Sequence, residues 1–280
     1  MKRCRSWQGL VALPVLALLL SLSALVKAQD RQVRSWGYNT NGELGDGSNS
    51  VRKKPCNASG FCGAWKLAGG KYHTVSLKVD GTVWAWGANS CGQLGSSSLA
   101  SSNIPVQVPD IVNVIQVASG YLHSLALKAD GSVWAWGANF LGQLGDGTYN
   151  DSATPTQVVG LDSVTQIAGG GLHSLALQSD GGAQQWGGDY GRFALPMAGL
   201  TGVWQIADGG LHSIALKGDG TVWTWGRNSY GQLGDGTTNG SSALVQVSGF
   251  YGAIYVAGGY CHTLALTRPR GLTATPIRAI

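Results

Sequence analysis

The stretch HSLALKADGSVWAWGANFLGQLG, residues 123–145, decides the fold. It opens with an apolar run of strand length, His123 to Leu127, and passes through Asp130-Gly131. It returns through Val133-Trp134-Ala135-Trp136 and ends in a glycine-bounded loop, Gly137 to Gly145. Asp-Gly between two short apolar runs predicts a tight hairpin, with a type I′ turn as the expected geometry. Tryptophans two apart lie on one face of a strand, and that much aromatic area has to be buried against a neighbouring sheet.

The stretch is one copy of a repeat. A His is followed thirteen residues later by Trp-Gly at His73 and Trp86, His123 and Trp136, His173 and Trp186, and His212 and Trp225. An Ala-x-Gly element precedes each His, and a further strand, such as Pro155-Thr156-Gln157-Val158, precedes that element. The total is about four strands per period, as in a propeller blade. Successive histidines are 50, 50, 39 and 50 residues apart; the short step follows Gln184 to Gly191, where the Gly-Gln-Leu-Gly loop is missing. The first Trp-Gly, Trp36-Gly37, has Ser23 where its His belongs, and the last His, His262, has Thr275 where its Trp belongs. The chain thus starts with the back half of a unit and ends with the front half. The expected fold is all-β, a propeller of five four-stranded blades closed by N- and C-terminal half-blades. An incomplete arc, completed by a partner chain or by dimerisation, is the alternative.

The pattern A-x-G-x-x-H-[ST]-x-x-L followed by D-G-x-V-W-x-W-G-x-N-x-x-G-Q-L-G resembles the repeat of the RCC1 (regulator of chromosome condensation) superfamily, in the manner of a secreted bacterial-type member. The resemblance covers nearly all of residues 29–280 and implies an RCC1-like β-propeller domain there. The family's best-known members have seven blades, whereas this chain has five His and five Trp-Gly positions.

Residues 1–28 read as a secretory signal: Lys2, Arg3 and Arg5, then an apolar stretch from Leu10 to Val26, then Val26-Lys27-Ala28 as a small-residue cleavage site. The expected location is therefore secreted or periplasmic, with no membrane attachment after signal removal. The leader holds four of the 19 Lys and Arg and none of the 14 Asp and Glu, so residues 29–280 carry a net charge near +1 rather than +5. That removes the main argument for a nucleic-acid partner.

Four cysteines lie beyond the leader. In an oxidising compartment Cys56 and Cys62, in one short loop, are the expected disulfide, with Cys91–Cys261 a second candidate across a closed ring. No pair has metal-site spacing.

One His per blade, at His73, His123, His173, His212 and His262, suggests a ring of ligands around a channel. The simpler reading is structural: a repeat-locked His beside Ser or Thr hydrogen-bonds backbone in the same place in every blade. Trp36, Trp86, Trp136, Trp186 and Trp225 are likewise structural. A Ser-His-Asp triad from His123, Ser124 and Asp130 is unconvincing, because it recurs in part in every unit and no G-x-S-x-G elbow is present. The only Glu is Glu43. We expect no enzymatic activity, no catalytic residue, no cofactor and no metal.

The expected function is an exported protein-binding scaffold acting through its loop faces, as a monomer with a secreted or cell-surface protein partner. The candidate contact residues are Arg52, Lys53 and Lys54, the only basic cluster, and Tyr149, Tyr190 and Phe193 in the divergent loops. Asn57, Asn150 and Asn239 head glycosylation sequons. The resemblance implies one alternative, guanine-nucleotide exchange on a small GTPase; a second, within the scaffold reading and not implied by the resemblance, is a carbohydrate-binding, lectin-like module. The latter requires the same aromatic exposed in every blade, for which Trp84, Trp134 and Trp223 have the periodicity. Secreted relatives with similar repeats include a propeller that inhibits β-lactamase.

Overall fold

The computed structural model describes residues 30–267. The leader and Cys4 lie outside them. Four antiparallel sheets follow one another along the chain, each a simple up-and-down meander. The first is β3 (Ala64–Gly69), β4 (His73–Lys78), β5 (Val83–Ala88) and β6 (Ser101–Gln107). The second is β7 (Val114–Ser119), β8 (His123–Lys128), β9 (Val133–Gly137) and β10 (Ser152–Gln157). The third is β11 (Val164–Gly169), β12 (His173–Gln178), β13 (Ala183–Gly187) and the two-residue β14 (Leu195–Pro196). The fourth is β15 (Val203–Asp208), β16 (His212–Lys217), β17 (Val222–Gly226) and β18 (Ser241–Gln246). Before them lie β1 (Arg34–Gly37) and β2 (Arg52–Asn57), and after them β19 (Ala253–Gly258) and β20 (Thr263–Thr267).

The propeller architecture stands, but its closure does not form among the described residues. β1–β2 and β19–β20 are separate two-stranded sheets, so the fifth blade expected from the two halves is not assembled. Burial records the consequence. Trp86, Trp136, Trp186 and Trp225 are fully buried, while Trp36 at the same repeat position is 61% exposed. Leu125 and Leu127 are fully buried, while Leu264 and Leu266 are 58% and 59% exposed.

The hairpins sit where Asp-Gly placed them, with a different turn. Gly81 N–H donates to Lys78 O (3.1 Å) and Lys78 N–H to Thr82 O (2.9 Å), so three residues, not two, form the loop. Only the glycine has positive φ (+80°), which is a type I turn closed by a left-handed glycine bulge rather than type I′. The Asp is used through its side chain: Asp80 Oδ1 accepts from Thr82 N–H (3.0 Å) and Thr82 Oγ1 (2.6 Å). Asp130 and Asp219 do the same with Ser132 and Thr221.

The core lies between sheets rather than within them. Val75, Leu77, Val83 and Ala85 of the first blade pack against Val114, Val117, Ala126 and Trp136 of the second. The same layering recurs at the next two interfaces. Burial of these faces is the main stabilising term. It works only between neighbours, so each blade depends on the next.

Candidate interaction surface and the contacts that position it

The loop after each Trp-Gly strand is a rigid clasp. Asn139, fully buried, accepts from Leu144 N–H (2.9 Å) and donates to Asp146 and Thr148. Asn39, Asn89 and Asn228 hold their loops in the same way. The fold this imposes aims one carbonyl at the next blade. Gln93 O accepts both the Trp136 indole N–H (3.0 Å) and the Ser124 hydroxyl (2.8 Å). Glu43 O accepts from Trp86 and Thr74, and Gln143 O from Trp186 and Ser174.

The histidines complete this clasp, and here the expected backbone partner is corrected. His73 Nε2 meets Ser124 Oγ at 3.0 Å, His123 meets Ser174 at 2.9 Å and His212 meets Thr263 at 2.9 Å. Each His reaches the hydroxyl beside the His of the following blade. That hydroxyl donates onward to a carbonyl, so it accepts from the ring, and Nε2 carries the proton. The opposite nitrogen, Nδ1, is buried without a protein partner in all three. A second proton has nowhere favourable to go. Burial holds His73 down to about 4 and His123, which also feels His73 and His173, down to about 3. His262, in the unpaired last half-blade, is exposed.

The degenerate third blade breaks this scheme and repairs it. Without a Gly-Gln-Leu-Gly loop there is no carbonyl for the fourth blade. Gln185 Oε1 takes the Trp225 indole instead (2.8 Å). Asp208, standing where other units have Gly69, Ser119, Gly169 and Gly258, accepts the Ser213 hydroxyl (2.8 Å) and lies 2.8 Å from His173 Nε2. Burial pulls the His173 pKa down, but the adjacent carboxylate outweighs it and the net shift is upward. Ser213 and Asp208 share one nitrogen of His173, and the Ser proton points to the carboxylate rather than to the ring. The trio is therefore a structural lock, not an activated serine. Replacing Asp208 with Gly makes the position match its siblings, yet should cost about 2 kcal/mol, because the Ser213 hydroxyl and His173 N–H lose a buried acceptor. Urea unfolding measures this; an unchanged midpoint would show that Asp208 is idle.

A second clamp joins the inner strands. Gln116 donates to Ile167 O (2.8 Å) and accepts from Ile167 N–H (3.2 Å), and Gln205 does the same with Val256 (2.9 and 3.0 Å). Gln166 links to Trp204 O and Ile206 N–H. These amides cap edge-strand backbone groups that otherwise face the axis unpaired. The first blade has Lys66 at this position.

On this frame the predicted site residues separate. Arg52 is engaged internally, paired with Asp46 at 2.5 Å; that Asp is held down to about 2, its modest burial outweighed by hydrogen bonds from Ser48 and Arg52. Lys53 and Lys54 are exposed on β2, so the three do not act as one basic cluster. Cys56 is a free thiol bonded to Ser35 O (3.1 Å), and Cys91 and Cys261 are free as well. Neither Cys56–Cys62 nor Cys91–Cys261 forms: Cys56, on β2, turns its thiol to Ser35 O of β1, and Cys91 and Cys261 each keep a free thiol.

Tyr149 and Phe193 do come together. The Arg192 guanidinium lies 5.2 Å from the Tyr149 ring and 5.4 Å from the Phe193 ring, both half-exposed. Two glycines allow it: a Cβ on Gly142 would stand 2.6 Å from Arg192 Cα, and one on Gly147 would stand 3.0 Å from the Phe193 ring. Tyr190 belongs elsewhere, packed on the core with its ring 6.2 Å from His173. Arg192 was not foreseen. Its only sequence signal is its place beside Phe193 in the altered unit. The ring of Trp84, Trp134 and Trp223 is not an open aromatic surface, since Lys78, Lys128 and Lys217 lie over these indoles at 4.0, 5.6 and 5.2 Å.

Strand order, clasp and relay define a repeat propeller in which a single motif serves as both blade and joint. The chain belongs to the regulator of chromosome condensation (RCC1) repeat family: that repeat matches residues 80–127, 130–177 and 219–266, more than half of the chain. A second profile of the same repeat matches 66–93, 114–143 and 205–232. No match was found among curated proteins. Among solved structures, human WBSCR16 is similar at 27% identity and TM-score 0.78, over 86% of this chain and 68% of that one. Prp20p from Saccharomyces cerevisiae, described with its binding to Gsp1p and histones, is similar at 23% identity and TM-score 0.74, over 84% of this chain. The chain spans 64% of the length of Prp20p, just under two thirds.

Proposed function

We propose that this chain is an exported, non-enzymatic protein-binding scaffold that engages its partner through the loop surface around Tyr149, Arg192 and Phe193. The observation that carries the reading is a cation held between two half-exposed aromatic rings, at the boundary of the most altered blade. Arg and Tyr are the residue types that dominate binding hot spots, and here they are pre-positioned by glycine contacts, which lowers the ordering cost of binding. The leader sequence supports export to a compartment where the partner is a secreted or cell-surface protein. The Lys-covered tryptophans argue against a lectin.

The test is a selection of binders from a display library of secreted and surface domains. Replacing Tyr149, Arg192 and Phe193 together with Ala should abolish binding, on the order of a hundredfold or more for a central hot spot. It should leave the unfolding midpoint nearly unchanged. Binding lost on substituting Lys53 and Lys54 instead would place the surface on β2. The second reading comes from the likeness to Prp20p, a protein characterised for binding Gsp1p. Release of labelled GDP from a small GTPase by this chain would favour exchange activity over the scaffold reading.

A further inference from the structure

Each unit that carries the glycine-bounded clasp loop offers its successor a socket. A Cβ on Gly45 would stand 2.9 Å from the Trp86 indole nitrogen, and one on Gly145 would stand 2.7 Å from Trp186 Cδ1, so these glycines exist to seat an indole. The Glu43, Gln93 and Gln143 carbonyls then accept the indole N–H at 2.8, 3.0 and 3.0 Å. The fourth blade has the same loop but no indole. The three atoms nearest a Cβ on Gly234 all belong to Val247. Beside it is a cavity of about 320 Å³ whose lining includes Gln232, Leu233, Gly234, Val247, Thr263 and Ala265. Gln232 O already accepts the Thr263 hydroxyl (2.8 Å), as Gln93 O accepts Ser124, which leaves its second lone pair for an N–H donor.

The matching knob is at the other end of the chain. Ser35-Trp36-Gly37 of β1 corresponds to Ala85-Trp86-Gly87, and its indole is the one in the series that is exposed. Among the described residues β1 is paired on one side only, with β2, and β20 on one side only, with β19. In complete blades Thr74 faces Trp86 and His73 faces Gly87. The equivalent register sets Thr263 opposite Trp36 and His262 opposite Gly37, and covers Leu264 and Leu266.

The β1 of the same chain is anchored elsewhere. It is fixed to the first blade through Val33, Ala58, Phe61 and Trp86. The interfaces between that blade and the last are held by clasp carbonyls, with Gln185 and Asp208 standing in at the joint of the third and fourth blades. Among the described residues β1–β2 and β19–β20 are separate sheets, with four complete sheets between them along the chain.

We propose that β1–β2 of a second copy completes β19–β20, with Trp36 of one copy seated in the Gln232–Gly234 socket of the next. The contact is head-to-tail, so it extends into a series of copies instead of stopping at a symmetric dimer. This is independent of the loop surface proposed above.

The test uses the full purified chain and light scattering over a broad concentration range. The wild type should show a mass that grows with concentration. Trp36→Ala removes the knob and Ala265→Glu puts a charge in the socket; both positions are exposed, so both variants should fold, and each alone should be monomeric. Mixed together they should form a one-to-one dimer and nothing larger, because only one knob and one socket remain intact. A wild type that is monomeric throughout, an assembly that survives in either variant alone, or a mixture that stays monomeric would each overturn the proposal.

Discussion

Trp136→Ala is expected to cost about 4 kcal/mol of stability, the range for truncating a large buried aromatic. Trp134→Ala, two residues away on the same strand, should cost about 1–2 kcal/mol, because its ring is only partly withdrawn from water and its cover is a lysine ammonium. Trp136 is fully buried among Leu94, Val108, Ile111 and Val117, at the joint between two blades. Its removal leaves a cavity and also strips a donor from the Gln93 carbonyl. Trp134 instead donates to Ser132 in its own hairpin (3.2 Å) and lies under Lys128. Urea unfolding monitored by far-UV circular dichroism decides it. Equal losses for the two variants would show that the blade interface is not where the core energy resides.

Acid should unfold the chain well above the pKa of its carboxylates. His73 and His123 have folded pKa values near 4 and 3, against about 6.5 unfolded, so the unfolded chain binds protons first as pH falls. Their contribution is complete above pH 6.5 and is lost as pH falls, down to about 4 for His73 and about 3 for His123, with about 3 kcal/mol for each already gone by pH 4 on the scale of about 1.4 kcal/mol per pH unit. His212, also lowered by burial, adds in the same direction. His173 has the opposite sign. Its folded pKa is raised, so its contribution is full below 6.5 and fades as pH rises through the folded value. The net expectation is a thermal midpoint that falls steeply from pH 6.5 to 4. His123→Gln should flatten that slope even though it weakens the protein at pH 7. A slope unchanged in His123→Gln would mean that the relay histidines titrate normally.

Much of this was open in the sequence because the repeat is written in residues with narrow uses. Gly where φ is positive, Asp in a hairpin loop and Trp in alternation with Ala announce turns and buried faces one residue at a time. The partners of those residues were not open. A His beside a Ser suggests a local bond, yet His73 bonds Ser124, 51 positions on. The Ser that counts belongs to the next copy of the motif, and identical copies hide which one is meant. Asp208 was visible as a departure from glycine, but its purpose appears only when the loop missing after Trp186 is seen to leave Ser213 without an acceptor. Cys56 and Cys62 were paired on nearness in sequence, whereas the pleat of β2 turns Cys56 toward Ser35. Arg192 carried no signal, because a cation between two rings is made by three loop positions from two blades.

By itself, the sequence determined the blade: strand length, hairpin position, buried tryptophan and the number of units follow from local sterics and from apolar alternation, which act within about twenty residues. Only the tertiary structure decided how the units add up. Neighbouring blades are joined by clasps and relays that reach from one copy of the motif to the next, contacts that identical copies leave unassigned in the sequence. Half a blade at each end counted as one blade on paper. Among the described residues the halves form separate sheets, Trp36 is exposed and the Gln232–Gly234 socket holds no indole.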